Sequence, residues 1–454
     1  MDSCVRVLLV TLPVQPQINP CLEFAKRLLK MGIDDVTYAT TFSAINRMTR
    51  NTTPPPSGLT FFGFSDTSFG DENPDQLMEE LNRHGSEAVA KLITSKAEKG
   101  QPFNHVIYTV FFPWAGQVAH DLHVHSTFIW IQPATILDIY YYNWNGYGDS
   151  IRETMNDPSL SVELPGLPPV TSADVPSYLL PSNTYKFALP LLKQHFDVLN
   201  AQTNPKVLVN SFDTLESGAL RAVEKLNLVP IGPLIPSAFL DGKDPSDTSF
   251  GGDLFEDSKA YVKWLDSMPN KSVVYAAFGS YSPLAKQQIE EIERGLLACG
   301  RPFLWVVRAT EDEKLSCREK LEQHGMVVPW CSQVEVLSHP SVGCFVSHCG
   351  WNSSLEGLVS GVPIVAFPHW ADQVTNAKLI EDVWKTGTRV KPNLDDHLVE
   401  SGEIRRCIEM VMGMGGDEMR TNAKKWKDLA REAGKEGGSS DKNLKTFVDE
   451  VKAR

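Results

Sequence analysis

Three features are scarce in this sequence, and each scarcity excludes a class of protein. No apolar run approaches the ~20 residues that a membrane-spanning helix needs, so we expect no stable membrane insertion. Basic residues are outnumbered, with 43 Lys and Arg against 56 Asp and Glu and a net charge of −13, so we expect no nucleic-acid partner. No CxxC pair occurs among the eight cysteines, which favours buried, reduced thiols and a cytoplasmic protein.

The length and the remaining composition are typical of a folded chain with more than one domain. Hydrophobic residues make up 42 % and charged residues 22 % of the 454 residues, close to globular averages. The polar segment that begins at Asp241 contains Gly, Pro and Ser, the composition of an exposed linker. We predict an N-terminal domain at 1–240, a linker at 241–258, a C-terminal domain at 259–434 and a last helix at 435–454 that packs back on the N-terminal domain.

The N-terminal part begins with the pattern of a strand, a helix and a second strand. An apolar run covers residues 5–12, and another β-rich run covers 36–40. Between them, Asn19 is predicted to cap a helix whose first residue is Pro20 and which stops at Gly32. Two strands joined by a helix form a βαβ unit, so a parallel sheet is implied.

The same alternation begins again after the middle of the chain. Helices are predicted at 287–299 and 353–360. The predicted strands are 272–278, 303–307, 326–329, 342–348 and 363–367. The chain is therefore expected to be an α/β protein with two Rossmann-like, doubly wound domains.

A short segment between a predicted strand and helix has the character of an anion site. Residues 348–353, HCGWNS, follow a strand and begin a helix, whose N-terminal N–H groups and dipole favour phosphate. Gly350 lets a ligand approach the backbone closely. The alternative is an ordinary capped helix with Asn352 or Ser353 as the cap.

The surrounding residues carry a family resemblance. Residues 330–373 read WCSQVEVLSHPSVGCFVSHCGWNSSLEGLVSGVPIVAFPHWADQ. This stretch resembles the 44-residue signature box of plant family 1 UDP-sugar glycosyltransferases, and FGS at 278–280 and EGGSSDKN at 436–443 are similar too. The branch it most resembles contains glucosyltransferases of crocetin, abscisic acid and anthocyanins. The resemblance implies a GT-B fold, in which two Rossmann-like domains face each other across a cleft, with the acceptor bound by the N-terminal and the UDP-sugar by the C-terminal domain.

The resemblance also implies donor-binding roles, residue by residue. Trp330 is expected to stack on uracil, and Gln333 and Glu356 to bind the ribose hydroxyls. The expected diphosphate ligands are Ser280, His348, Asn352 and Ser353, and the expected glucose readers are Asp372 and Gln373, with Trp351 and Gln373 typical of glucose users. Taken singly, each residue has a structural alternative as core aromatic, solvated helix face or loop cap.

The reaction implied is a single inverting displacement, in which an acceptor oxygen attacks the anomeric carbon of UDP-glucose. No metal and no cofactor beyond this co-substrate is expected. Relatives usually deprotonate the acceptor with a His in the first strand-to-helix loop, held by an Asp in the N-terminal half. Here Gln17 occupies the position of the His and Thr109 that of the Asp, and Pro16 replaces a Gly beside it.

Three hypotheses account for the missing base. A carboxylic acid acceptor arrives ionised, since the pKa of a carboxyl group in water is roughly 4, and needs no base to give a glucose ester. Alternatively, another group or a water held by Gln17 serves a phenol or hydroxyl acceptor and gives a β-glucoside. In the third, the chain is an altered form that binds UDP-sugar but is impaired in transfer. An oxidoreductase is disfavoured because no GxGxxG follows the first strand.

Two further groups of residues require an interpretation. His120, His123 and His125 lie within six residues, and we interpret them as a surface cluster rather than a metal site. The aromatic segments 111–114 and 140–144 are candidates for the wall of a site that takes a small aromatic or polyene acceptor. Core packing is the alternative for about half of these rings.

Overall fold

A computed structural model describes residues 4–50, 54–66, 73–251, 259–279, 283–393 and 395–454. The described residues divide into two compact units. Unit 1 contains those up to Pro236, those at 249–251 and those from Glu432 onward, and unit 2 contains 237–248 and 259–431. The segment predicted as a linker is thus divided between the units, and Ser249 accepts a hydrogen bond from Lys26 in unit 1. None of the described helices combines the length and the apolarity that crossing a membrane requires.

Unit 1 is built on a seven-stranded parallel sheet in the order β3-β2-β1-β4-β5-β8-β9. Its strands, with a separate β6–β7 hairpin, are β1 (Arg6–Val10), β2 (Asp35–Thr41), β3 (Leu59–Phe64), β4 (His105–Tyr108), β5 (His125–Trp130), β6 (Ser161–Val162), β7 (Val170–Thr171), β8 (Val207–Val209) and β9 (Leu228–Pro230). Its first eight helices are α1 (Gln15–Lys30), α2 (Phe42–Met48), α3 (Pro74–Glu98), α4 (Pro113–Asp121), α5 (Ala134–Trp144), α6 (Gly148–Asn156), α7 (Ala188–Asn200) and α8 (Ala219–Ala222). Since Val10 pairs with both Ala39 and Tyr108, the carboxyl ends of β1, β2 and β4 are adjacent.

The first helix begins earlier than the sequence predicted. Helix α1 begins at Gln15 with Val14 as its N-cap, so Asn19 is not the cap and Pro20 lies inside the helix. The carbonyl of Val14 accepts the N–H groups of Gln17 and Ile18 at 2.9 and 3.0 Å, which closes the first turn. Pro16 is tolerated here because the first N–H groups of a helix have no intrahelical partner. The sequence pattern placed Pro20 at the start of the helix, whereas the proline in the first turn is Pro16.

Unit 2 contains the second parallel sheet, in the order β12-β11-β10-β13-β14-β15. Its strands are β10 (Val273–Ala277), β11 (Phe303–Val306), β12 (Met326–Val328), β13 (Val342–Ser347), β14 (Ile364–Ala366) and β15 (Gly387–Arg389). Its helices are α9 (Ala260–Asp266), α10 (Lys286–Ala298), α11 (Ala309–Asp312), α12 (Arg318–His324), α13 (Gln333–Ser338), α14 (Trp351–Ser360), α15 (Gln373–Lys378), α16 (Ser401–Met412) and α17 (Asp417–Gly434), of which the last three residues belong to unit 1. The predicted strands are all found within a few residues of their expected places, and the α/β class with two Rossmann-like sheets is confirmed.

The last helix, α18 (Ser439–Lys452), belongs to unit 1. Its apolar stripe of Leu444, Phe447, Val448 and Val451 is buried in the same core as β1 and β2. Phe447 packs edge-on against His105 of β4, with ring centroids 5.5 Å apart. A chain end that contributes four buried side chains stabilises the unit through burial of apolar area.

Replacing Val448 by Ala is expected to destabilise unit 1 by about 2 kcal/mol, since two methyl groups leave a site that is 1 % exposed. The measurement is the urea midpoint of the unfolding transition, followed by fluorescence. The exposed Lys445 lies on the same helix, and Lys445→Ala is the control, with a change within ~0.5 kcal/mol. Equal midpoints for the two variants would contradict the packing role of α18.

Candidate functional site

The predicted anion-binding segment lies at the carboxyl end of β13, where it enters α14. Gly350 is the N-cap of α14 and carries no side-chain cap, so neither Asn352 nor Ser353 is the capping residue that the alternative interpretation required. The preceding Cys349 has φ 63°, a left-handed conformation that is costly for a residue with a side chain. The N-cap of this helix thus has no side-chain hydrogen bond, and the dipole at a helix N-terminus favours an anion.

The imidazole of His348 lies close to two glycines. A Cβ on Gly279 would lie 2.7 Å from its Nε2, and a Cβ on Gly350 would lie 2.6 Å from the same atom. Burial, together with the nearby His369, lowers the pKa of His348 to about 3. The ring is therefore neutral at physiological pH and carries one N–H, for which the backbone carbonyl of Ala277 and a ligand are alternative acceptors. Ser280, which follows Gly279, lies outside the described residues.

A second group joins the start of α13 to α14. The Nε2 of Gln333 donates to Ser353 Oγ and to Glu356 Oε2, both at 2.8 Å. The hydroxyl of Tyr275 on β10 donates to Gln333 Oε1 at 3.3 Å. Glu356 is only 4 % exposed, and its carboxylate has lone pairs enough to accept from a ligand hydroxyl as well as from Gln333. The structure thus brings three of the predicted donor-binding residues together.

The two predicted tryptophans have different environments. Trp330 lies in the connection between β12 and α13 and is half-buried, so part of its indole is accessible. Trp351 is 3 % exposed and packs against Trp384, with ring centroids 6.0 Å apart. Trp330 is the more accessible of the two, whereas Trp351 is a buried residue in the first turn of α14.

The predicted glucose readers lie at the start of α15. Gln373 Oε1 accepts the backbone N–H groups of His369 and Trp370 at 2.8 and 3.1 Å, so its carbonyl is used within its own loop. Its amide N–H groups are the part that remains for a ligand. Asp372 is 6 % exposed, and burial raises the pKa of its carboxyl to about 6. Its Oδ2 accepts from Nδ2 of Asn376 at 2.8 Å.

In unit 1, Gln17 and Thr109 lie at the carboxyl ends of neighbouring strands. Gln17 is in the first turn of α1 and is 7 % exposed, and its Oε1 is a buried acceptor with no hydrogen-bond partner in the described part of the chain. Thr109 is fully buried, and its hydroxyl accepts the backbone N–H of Leu12 at 3.4 Å. Thr109 therefore ties β4 to the loop that leads into α1, and a neutral hydroxyl adds no charge there.

The aromatic residues that were proposed as the wall of an acceptor site differ in how far they are buried. Phe112 and Tyr140 are core residues, at 0 and 2 % exposure. Phe111 follows β4 with φ 69°, a conformation rare for a bulky side chain, and its ring packs edge-on against Phe187 and Tyr178 at 5.4 and 6.0 Å. Phe111 is itself only 8 % exposed, whereas Trp114, Tyr141 and Trp144 of the same two segments are partly exposed. The ring partners of Phe111 come from a segment without helical or strand periodicity, so the sequence did not identify them.

The histidine cluster lies on the surface of unit 1. His120 lies in the last turn of α4, His123 has φ 57° in the connecting turn, and His125 begins β5; all three are exposed. His120 contacts the carboxylate of Asp121 at 3.4 Å. These exposed rings carry no sign of a built site, in agreement with the surface interpretation.

Comparisons with known proteins show which family this chain resembles. The family model described as "UDP-glucoronosyl and UDP-glucosyl transferase" matches residues 253–412. A crocetin glucosyltransferase, chloroplastic, of Gardenia jasminoides is 56 % identical over 98 % of this chain and 97 % of its own. A phloretin 4'-O-glucosyltransferase of Malus domestica is 54 % identical over 98 % of both chains. The crystal structure of Os79 from O. sativa in complex with UDP superposes with a TM-score of 0.86 at 34 % identity, covering 98 % of this chain and 100 % of its own.

Proposed function

Because this chain belongs to the plant family 1 UDP-glycosyltransferases, we propose that it transfers glucose from UDP-glucose to a small plant metabolite whose attacking group is a carboxylate. The product is a β-glucose ester. The observation that carries the proposal is Gln17, a buried amide in the first turn of α1 at the position where relatives have a base. An amide takes no proton at neutral pH, so the acceptor must arrive without one.

The donor half of the proposal rests on residues of unit 2. The accessible indole of Trp330 stacks on uracil, and Glu356, oriented by Gln333, accepts from the ribose hydroxyls. The N-terminus of α14 and the neutral imidazole of His348 face the diphosphate. Asn352 and Ser353 add side-chain donors at the same helix start. Asp372 and the amide N–H groups of Gln373 bind glucose hydroxyls.

The proposed chemistry is one displacement. A carboxylate oxygen forms a bond to the anomeric carbon while the bond from that carbon to the UDP oxygen breaks, which inverts the configuration and releases UDP. No proton has to be removed from the acceptor. The negative charge moves to the diphosphate, where the α14 N-terminus and the N–H of His348 stabilise it, so the step as proposed draws on neither a metal nor a further cofactor.

The acceptor is proposed to bind to unit 1, beside Gln17 and Phe111. The amide of Gln17 orients the carboxylate by donating a hydrogen bond, and the rings of Phe111 and its neighbours contact an aromatic or polyene body. The eight cysteines are free thiols, which supports our placing of the protein in the cytosol.

The test supplies UDP-glucose at pH 7 with two flat acceptors of equal size, one carrying only a carboxyl group and one only a phenolic hydroxyl. We expect at least ~100-fold faster transfer to the acid, because phenol transfer lacks general-base assistance. Product mass shows transfer, and cleavage by hydroxylamine distinguishes the ester from a glucoside. Equal rates with the two acceptors would overturn the ester proposal and require a base other than residue 17.

A second candidate is a UDP-sugar-binding protein that is impaired in transfer. Gln17, which lacks a basic atom, favours it as well, and the neighbouring Pro16 lacks a backbone N–H in the same first turn of α1. Calorimetry with UDP-glucose, together with the transfer assay, separates the two functions. Binding of UDP-glucose without product from either acceptor would support this candidate against the ester synthase.

A further inference from the structure

Asn376 joins the two loops to which donor binding is assigned, although it is none of the predicted site residues. Its side-chain Nδ2 donates to the backbone oxygen of Cys349 and to Oδ2 of Asp372, both at 2.8 Å. The residue lies on α15, one turn after Asp372, and is fully buried. One amide group therefore holds the loop before α14 and the loop before α15 at the same time.

Both loops have backbone conformations that need such support. Cys349 has φ 63° and Ala371 has φ 56°, and neither is glycine. A left-handed conformation is unfavourable for residues with a Cβ and persists where surrounding contacts over-determine it. The N–H of Cys349 also donates to Ser347 Oγ at 3.1 Å. Asn376 is the contact that reaches from one strained loop to the other.

The amide of Asn376 also acts on the charge of Asp372. Burial raises the pKa of the Asp372 carboxyl, whereas the hydrogen bond from Asn376 lowers it because it favours the ionised form. The other titratable groups at this place are the Cys349 thiol, whose pKa is raised by burial and by Asp372, and Arg389, whose charge opposes that rise. Asn376 is the side chain that donates directly to the carboxylate.

We propose that Asn376 is a positioning residue for the donor sugar, which keeps Asp372 an acceptor for glucose hydroxyls and holds it in register with the start of α14. This inference rests on the proposed function, since it needs Asp372 to face the glucose of UDP-glucose. If Asn376 only stabilised the fold, replacing it would weaken the binding of UDP and of UDP-glucose equally. If it positions Asp372, replacing it weakens the binding of UDP-glucose more, because only UDP-glucose contains the sugar.

The experiment measures Kd by calorimetry for UDP-glucose and for UDP between pH 5.5 and 8.5, using the full chain. In the parent, UDP-glucose affinity is expected to fall below pH ~6, where Asp372 takes up a proton and becomes a weaker acceptor. UDP is compared with it at pH 7 and above, because the terminal phosphate of UDP itself takes up a proton near pH ~6. Asn376→Ala is expected to weaken UDP-glucose binding about 10- to 100-fold at pH 7 and UDP binding less than about threefold. Because the variant loses the donor that favours the carboxylate, its affinity begins to fall at a higher pH than in the parent.

Two further variants distinguish an effect on the position of Asp372 from a general loss of folding stability. Asn376→Asp keeps the shape, removes the donor and adds a second carboxyl, so it is expected to move the pH dependence in the same direction as Asn376→Ala. Thr386→Val is the control, because Thr386 is 1 % exposed in the same unit and its hydroxyl has no partner among the described residues. It is expected to bind both ligands as the parent does.

The outcomes are distinct. If the parent binds UDP-glucose and Asn376→Ala matches Thr386→Val, or loses UDP and UDP-glucose affinity equally with an unmoved pH profile, the positioning role is wrong and the proposed function stands. If the parent binds no UDP-glucose, the proposed function fails, and this inference fails with it.

Discussion

Gly350→Ala is expected to lower kcat/KM for transfer from UDP-glucose by at least ~100-fold while the fold stays intact. The new Cβ would lie 2.6 Å from Nε2 and 3.3 Å from Cε1 of His348, closer than real contacts allow. Gly279 also lies close to the ring. Displacing the imidazole removes a donor from the place where charge develops on the leaving UDP, and one such donor is worth ~10²–10³ in rate.

The backbone does not complicate this substitution, because Gly350 has φ −58°, which alanine adopts without strain. Gly402→Ala is the matched control, since Gly402 lies in the first turn of α16 with nothing within 4 Å of an added Cβ. Steady-state kinetics give the rates, and thermal unfolding shows whether the fold persists. Transfer by Gly350→Ala within threefold of the Gly402→Ala control would mean that His348 does not act on the diphosphate.

The two sheets could be predicted because their signals are local. Runs such as 273–277 and 342–347 are apolar and short, end at Gly or a polar loop, and alternate with helical patterns. Parallel pairing follows from that alternation, since a strand followed by a helix and a strand cannot form a hairpin. The helix α14 was placed within two residues for the same reason, because Gly361 with φ 70° ends it.

Site residues could be predicted from the sequence only where they belong to a recognisable motif, and the contacts between their side chains could not be predicted. Gln333 and Glu356 were identified through their resemblance to a known box, and their contact at 2.8 Å is a fact of tertiary packing. Asn376 carries no local signal, because its partners are a carboxylate one turn away and a carbonyl on another loop. The start of α1 was mispredicted because two prolines four residues apart each fit a first turn, and only the contacts of Val14 decide between them.

Since residue 17 is not a base, the protein is expected to prefer a carboxylic acceptor to a phenolic one, and restoring a base there is expected to reduce that preference. Gln17→His is expected to raise transfer to the phenolic acceptor ~10²–10⁴-fold and to leave transfer to the carboxylic acceptor within about threefold. The side chain lies in the first turn of α1, where the positive end of the helix dipole lowers the pKa of an imidazole and keeps it in the basic, neutral form. An imidazole there takes the phenol proton as the oxygen attacks, whereas an ionised acid has no proton to give.

The control Gln17→Met removes the amide without adding a base, so phenol transfer is not expected to rise. The pH dependence gives an independent check. The ratio of phenol to acid transfer by Gln17→His falls as pH drops below the pKa of the new imidazole, since protonation removes a base that only the phenol needs, whereas the protonation of Asp372 affects donor binding for both acceptors. If phenol transfer by Gln17→His equals that of Gln17→Met at every pH, residue 17 does not touch the acceptor, and the ester proposal loses the observation that carries it.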